Sequence, residues 1–381
     1  MSTLKVNTIQ DTTGNNALTI DSSGNVTASQ GFVPSTQLSH RNLIINGAMQ
    51  VAQRGTSFSS NGYTLDRFST YASAASLART VTQSSTAPSG FSSSLKIVAT
   101  TAEPDFGGTE YVIVRQTIEA QNLQQLGFGS SEAKSITLSF WVRSNVTGNY
   151  AIIMYQDDGS KIIGSTYTIS SANTWEHKTI TFVGNTADVI ANDSGSGLRL
   201  DWSLAAGSDR TTTDNTSWGA NATGKYAYGH TAQWGEATND EWYITGVQLE
   251  VGSVATPFEH RSYGEELALC QRYFERIYES NTNENLIGLG YIHNSARILA
   301  RLEFMVEKRT NPSGSYSNVS HIQALKSTGW HAGTSISFIL NTRGGRMDIN
   351  GLPNSFTQHG CAEIRFDPTY TNPYIDADAE L

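Results

Sequence analysis

Charge, cysteine, proline and long apolar runs are all scarce in this chain, and each scarcity excludes something. Charged residues make up 15% of the 381, and the balance is acidic: 25 Lys and Arg against 34 Asp and Glu give a formal net charge of −9. A nucleic-acid backbone is held by clustered Lys and Arg. No basic run occurs, so nucleic acid is not expected as a partner, and attraction to an anionic membrane surface is disfavoured for the same reason. Cys270 and Cys361 are too few for a disulfide framework and are expected as free thiols of a protein folded in a reducing cytosol. No apolar stretch approaches the ~20 residues that span a bilayer, so no membrane insertion is expected. The opening Met1-Ser-Thr-Leu-Lys5 is not followed by the apolar core of a secretory signal, which makes lysis of the producing cell the expected route of release. The eight histidines are scattered without an i, i+4 pair, and neither His-Glu-x-x-His nor Gly-x-Ser-x-Gly occurs. A zinc site and a serine-hydrolase site are not expected, nor is any cofactor.

What the chain has is turn and strand chemistry. Its 34 glycines far outnumber its 8 prolines, and Ser, Thr and Asn are abundant, the composition of a β protein with many short turns. Ile136, Leu138, Phe140 and Val142 alternate with polar neighbours, as do Leu198, Leu200, Trp202 and Leu204; each set marks the buried face of one strand. Further strands are expected at 150–156 and 175–183, with no amphipathic helix between them. The pattern predicts an all-β protein whose main body, residues 41–261, is an antiparallel jelly-roll sandwich. Ser262-Tyr-Gly-Glu265 fits a capping box, and Leu267, Cys270, Phe274 and Ile277 recur at helical spacing. One helix is therefore expected over 262–278, within a connecting segment 262–281. Strand patterning returns at 298–306 and 335–340, with turns at Asn311-Pro-Ser-Gly314 and Gly344-Gly345, and predicts a smaller C-terminal β domain over 282–381.

Residues 1–40 read differently. Their apolar anchors are Leu4, Val6, Ile9, Leu18, Ile20 and Val26, interrupted by turn signals at Gly14-Asn-Asn16 and Ser23-Gly-Asn25, and residues 32–40 read as a linker. So few apolar side chains do not bury a core, and short hairpins are marginal alone. The arm is expected to gain stability from other chains, either identical copies or a larger particle.

Taken in order, several motifs resemble bacteriophage tail-fibre proteins of the marine and cyanobacterial phage type. Leu4-Lys-Val-Asn-Thr-Ile-Gln-Asp11 and Leu18-Thr-Ile-Asp-Ser-Ser-Gly-Asn-Val26 are similar to the virion-proximal segment of that family. The stretch 42–55 with Tyr63-Thr-Leu-Asp-Arg-Phe68, and later 242–250 with Ala255-Thr-Pro-Phe-Glu-His-Arg261, resemble the opening and close of its carbohydrate-binding-module-like jelly roll. Cys270-Gln-Arg-Tyr-Phe274 resembles its connecting helix, and Glu307-Lys-Arg-Thr-Asn-Pro312 a piece of its tip domain. The resemblance implies a homotrimer in the virion tail, joined to other virion proteins through residues 1–31. It would bind a host cell-surface receptor, with a glycan as the expected kind. Such binding requires no catalysis, and the chain is not expected to be an enzyme. These are scaffold motifs, so the resemblance assigns no ligand residue.

Candidate ligand contacts come from the residues themselves. The polar stretch 207–239 carries Trp218, Tyr226, Tyr228, His230 and Trp234. Aromatic faces stack on sugar rings, which makes Trp218, Tyr226, Tyr228 and Trp234 candidate glycan contacts; Trp141, on the strand face opposite Leu138 and Phe140, is another. Packing is the competing fate, because large aromatics dominate cores and interfaces. An alternative function is glycoside cleavage by a tailspike-like depolymerase, which needs two carboxylates flanking a groove. Glu103, Asp105, Asp157, Asp158, Asp201 and Asp214 are available, with Asp157-Asp158-Gly159 expected as a hairpin turn. A purely structural fibre or adaptor protein is the remaining alternative. Gly219-Ala-Asn-Ala-Thr-Gly-Lys225 resembles a phosphate loop but is followed by Tyr226, so it lacks the hydroxyl that would hold Mg²⁺. Asp66 and Arg67 are expected in structural roles at the sandwich edge, and Asp376, Asp378 and Glu380 on a solvated terminal strand.

Overall fold

The computed structural model describes every residue except 1–5, 11–13, 15, 21, 23–25, 29–38, 280–285, 327, 328, 354 and 355. Two compact units result, Met1–Arg41 and Asn42–Leu381. In the first, strands Thr8–Gln10, Asn16–Ile20 and Val26–Ala28 form an antiparallel meander. None of its described side chains is buried. Val6, Leu18 and Ile20 are half-buried, and Ile9 is 47% exposed. Leu4 lies outside the described residues, as does the side chain of Val26.

The second unit opens with a jelly-roll sandwich. One sheet has six strands in the order Glu176–Phe182, Ile136–Ser144, Glu241–Val251, Ser94–Thr101, Ala78–Ser84 and Ser57–Phe58. The other has seven: Gly219–Ala220, Lys161–Ile169, Gly148–Gln156, Ser196–Ala206, Tyr111–Glu119, Phe68–Ala72 and Gly62–Tyr63. Every pairing is antiparallel, and the chain passes repeatedly from one sheet to the other. As the alternation predicts, Ile136, Leu138, Phe140, Val142, Leu198, Leu200, Trp202 and Leu204 are all fully buried between the sheets. Trp202 and Trp242 anchor this core. Removing about 200 Å² of each indole from water stabilises the fold by about 4–6 kcal/mol before entropy is counted.

The opening and closing motifs of the sandwich are buttoned together. Asn42 donates from Nδ2 to the Val247 carbonyl at 3.0 Å and accepts at Oδ1 from the Leu249 amide at 3.1 Å. A Cβ on Gly47 would sit 2.1 Å from the Val247 carbonyl oxygen, so only glycine permits this approach. Arg261 donates to the carbonyls of Asn42 and Ile44, and Glu259 accepts from the Asn42 amide at 3.0 Å.

The helix is shorter than its sequence pattern. It begins as expected, with Ser262 Oγ accepting from the Glu265 amide at 3.3 Å, but runs only over Tyr263–Gln271. Glu119, in the sandwich, captures Arg272 at 2.6 and 2.8 Å and the Tyr273 hydroxyl at 2.7 Å. Phe274–Glu279 is then a strand, paired with Tyr374–Asp378. Phe274 and Ile277 belong to that strand; four apolar positions in so short a window do not separate helix from strand. The turn expected at 311–314 also changes: Ser313 and Gly314 open a strand, Ser313–Tyr316, which pairs with Tyr374–Asp378, and the Phe338 ring packs where a Cβ of Gly314 would lie.

The smaller C-terminal β domain has a seven-stranded sheet in the order Gly329–Ala332, Ile322–Lys326, Cys361–Phe366, Leu286–Asn294, Arg297–Glu303, Gly344–Asn350 and Ser335–Asn341. It shares a core with the three strands Phe274–Glu279, Tyr374–Asp378 and Ser313–Tyr316 through Ile277, Ile375 and Tyr316. Both cysteines are free thiols, Cys270 buried and Cys361 exposed.

Two of the three terminal carboxylates, Asp376 and Glu380, are withdrawn from solvent, while Asp378 stays 38% exposed. Arg276 grips Asp376 at 2.9 and 3.0 Å, Arg54 lies 3.2 Å from Asp378, and Arg54 and Arg67 both meet Glu380. Asp66 and Arg67 are structural but wholly inside rather than at an edge. Asp66 accepts from the Gln53 amide at 2.7 Å.

Candidate functional site

The alternation that buries Leu198, Leu200 and Trp202 sends Arg199, Asp201 and Ser203 through the other side of the seven-stranded sheet. On the neighbouring strand Tyr111, Ile113, Arg115 and Thr117 emerge beside them, with Asp201 in register with Arg115 and Arg199 with Thr117. Tyr155 pairs with Arg199 from one flank, and Tyr71 pairs with Ile113 from the other. The result is a row of tyrosines and charges across four adjacent strands.

Arg115 donates two parallel hydrogen bonds to Asp201, Nε to Oδ1 at 2.7 Å and Nη2 to Oδ2 at 2.9 Å. Arg199 Nε lies 3.6 Å from the same carboxylate, which is only 3% exposed. Each guanidinium also rests against a tyrosine: Arg115 is 5.1 Å from the Tyr71 ring centre and Arg199 is 4.3 Å from that of Tyr155. A third guanidinium, Arg210, ends the short turn Ser208–Arg210 and lies between the rings of Tyr111 and Tyr226, at 4.3 and 4.7 Å. Burial pulls the pKa of Arg210 below the ordinary arginine value. Burial acts in the same direction on Arg115, but the hydrogen bonds and charge of Asp201 outweigh it and raise the net value.

The long polar loop forms one bank of this face. Tyr226 packs on Ile153, Tyr155 and Ile162, and Ala227 on Ala151 and Ala206. His230 fastens the loop: its Nδ1 accepts from the Ala151 amide at 3.0 Å, and burial lowers its pKa to about 4.

The aromatic candidates scatter. Tyr226 belongs to the face, and Tyr228 stands on the same loop, 38% exposed. Trp218 is half-buried against Phe128, with ring centres 5.8 Å apart, and donates Nε1 to the Val183 carbonyl at 2.7 Å. It anchors the far end of the loop. Trp234 is fully buried in the sandwich core, so no face of its ring is open to a sugar, and its candidacy falls. Its polar surroundings in the sequence disguised a core position. Trp141 lies on the outer side of the six-stranded sheet, half-buried and 5.2 Å from His177.

Several of the carboxylates considered for hydrolysis serve local structure. Asp157 accepts from the Ser196 hydroxyl and Asp158 from the Ala191 amide at 2.8 Å, in the expected hairpin turn. Glu103 accepts from the Ser76 amide at 3.2 Å and Asp214 from the Thr216 amide at 2.8 Å. Asp201 reaches the face, where Arg115 takes up both its oxygens. Among the described residues there is no cluster of three metal-ligating side chains, and no helix is long and apolar enough to cross a membrane. Tyr71, Tyr111, Tyr155, Arg115, Arg199 and Arg210 were not singled out from sequence. The available signal was charge in mid-strand: Arg199 and Asp201 interrupt a run of core residues, and Arg115 follows Val114.

No protein-family model matches the chain, and no curated protein does. Solved structures overlap the chain weakly. The enzymatically active domain of tailspike protein 4 from bacteriophage CBA120 is 13% identical, with a TM-score of 0.30. That overlap covers 55% of this chain but only 21% of the tailspike chain. A CBM4 carbohydrate-binding module is 13% identical over 54% of this chain and 97% of its own, with a TM-score of 0.28. The family 11 carbohydrate-binding module from Clostridium thermocellum, solved with a β-1,3-1,4-mixed-linked tetrasaccharide, is 8% identical over 54% of this chain and 98% of its own, with a TM-score of 0.27.

Proposed function

We propose that this chain is the receptor-binding fibre protein of a phage virion, and that it holds a host surface glycan on the outer face of its seven-stranded sheet. The observation that supports this most is the tyrosine and arginine row around Asp201. The half-buried rings of Tyr71, Tyr111 and Tyr226 offer stacking surfaces for pyranose rings, while Tyr155 is buried against Arg199 and Tyr226. The guanidinium and hydroxyl groups between them offer hydrogen bonds, and side chains locked by their neighbours lose little entropy on binding. The role is binding without cleavage, since Arg115 occupies the carboxylate that reaches this face. Three copies, mounted in the virion tail through residues 1–31, would multiply weak single-site affinities through effective concentration. Synthesis in the host cytoplasm and release by lysis complete the reading.

A glycan array probed with the wild type, Tyr71→Ala and Trp141→Ala tests it. The wild type is expected to bind a defined glycan, Tyr71→Ala to bind it at least tenfold more weakly, and Trp141→Ala to bind normally. Binding to no glycan would overturn the reading. Loss confined to Trp141→Ala would move the site to the other sheet.

A further inference from the structure

We infer that this face takes an anionic saccharide, one bearing a carboxylate or sulfate, and that Arg210 meets the acidic group. The inference rests on the glycan-binding reading and adds the chemical class. Arg115 and Arg199 lie against Asp201, and Arg210 stands beside Tyr111 within reach of the Asp201 charge, so these three positive charges against the one negative of Asp201 leave a surplus of two, in a chain whose net charge is −9. Arg115 and Arg199 share Asp201. Arg210 forms no ion pair and no side-chain hydrogen bond among the described residues.

Its setting makes that exceptional. A half-buried guanidinium has lost much of its hydration, a cost that counter-charges normally offset. Tyr111 and Tyr226 contribute cation–π attraction at 4.3 and 4.7 Å. Those contacts attract the charge but supply no hydrogen-bond acceptor to its N–H groups. A carboxylate or sulfate fits a guanidinium fork with two charge-assisted hydrogen bonds, and the same rings that hold Arg210 can stack on the adjoining sugar. A neutral sugar would leave the surplus charge uncompensated. Phosphate of a nucleic acid is a poorer candidate, because the acidic chain repels a polyanion beyond this local patch.

The test uses the full chain and two pairs of polymers in affinity electrophoresis: polygalacturonate with its carboxyl-reduced form, and a sulfated galactan with its desulfated form. The expected result is binding to at least one acidic member, weakened at least tenfold when its acidic groups are removed. Arg210→Gln should weaken it similarly and Arg210→Lys less, with thermal melts confirming that both variants fold. If Arg210→Gln does not fold, the paired polymers and the lysine variant still decide. Equal binding to a polymer and its neutral form, preference for neutral forms, or full binding by Arg210→Gln would overturn the acidic class. So would binding to neither acidic polymer; if a neutral glycan on the array is still bound, the glycan-binding reading survives. Failure on the array as well removes both.

Discussion

Glu380 lies against the guanidinium of Arg67, 313 residues upstream, and both side chains are nearly sealed from water, at 4% and 1% exposed. Arg67 also stacks 3.6 Å from the centre of the Tyr273 ring and donates to the Thr117 carbonyl. Tyr63 donates its hydroxyl to the Leu381 carbonyl at 2.7 Å. These contacts tie the end of the chain to the seven-stranded sheet of the sandwich. Breaking one side of a buried ion pair strands the other charge, at a cost of about 3–5 kcal/mol, whereas replacing both partners with apolar groups costs much less. Glu380→Gln is therefore expected to destabilise strongly in urea unfolding, and the double variant Arg67→Met/Glu380→Leu to lie closer to the wild type than either single change. A double variant as unstable as the sum of its parts would contradict this.

A second prediction concerns acid. His230 is buried, and its folded pKa of about 4 lies below its ordinary value of 6.5. The unfolded chain binds the proton more readily in that interval, so the stability contributed by neutral His230 is complete above pH 6.5 and is lost as pH falls toward 4. The shift corresponds to roughly 3 kcal/mol. Denaturant melts of the wild type and His230→Asn between pH 7 and 4 should converge as the pH drops, since Asn keeps an acceptor for the Ala151 amide and has no proton to gain. A constant gap between the two proteins would show that His230 is not the titrating group.

Sheet architecture was legible because alternation is a local signal: Leu138 and Phe140, like Leu200 and Trp202, announce their buried faces without help from distant residues. The binding face was not, because it exists only through register. Nothing near Asp201 in the sequence indicates that Arg115, 86 positions earlier, will lie across from it, or that the loop will fold back to set Tyr226 against Arg210. Trp234 misled for a related reason: a polar loop can drop one indole into the core and return to solvent. The helix overran because Glu119, a long-range partner, ends it at Gln271.

The arginine clamp on Asp201 makes a third prediction. If this face binds without cleaving, incubating the protein with the glycan it binds leaves the concentration of reducing ends unchanged over hours. Asp201→Asn should remove the attraction between the carboxylate and two guanidiniums and lower stability by about 1–3 kcal/mol. On the binding-only reading, it should do so without any turnover to abolish. Steady release of reducing ends by the wild type, lost in Asp201→Asn, would make the protein a depolymerase and assign Asp201 to catalysis.

The last prediction concerns the arm. Both large hydrophobic clusters lie within residues 42–381, while the described side chains of the first 40 residues include none that is buried. Among its described side chains the three-stranded meander buries none and leaves Ile9 47% exposed, and such short hairpins are marginal alone. Three such arms packed together would bury one another's apolar sides, and each side chain fully withdrawn would contribute about 1.5–3 kcal/mol. In sedimentation equilibrium the full chain is expected to run as a trimer, and a chain lacking residues 1–41 to remain folded with weakened or lost association. Ile9→Asp should shift the full chain toward monomer without changing the melting of the sandwich. A full-length protein that stays monomeric at high concentration would leave the arm without the partner copies this assembly requires.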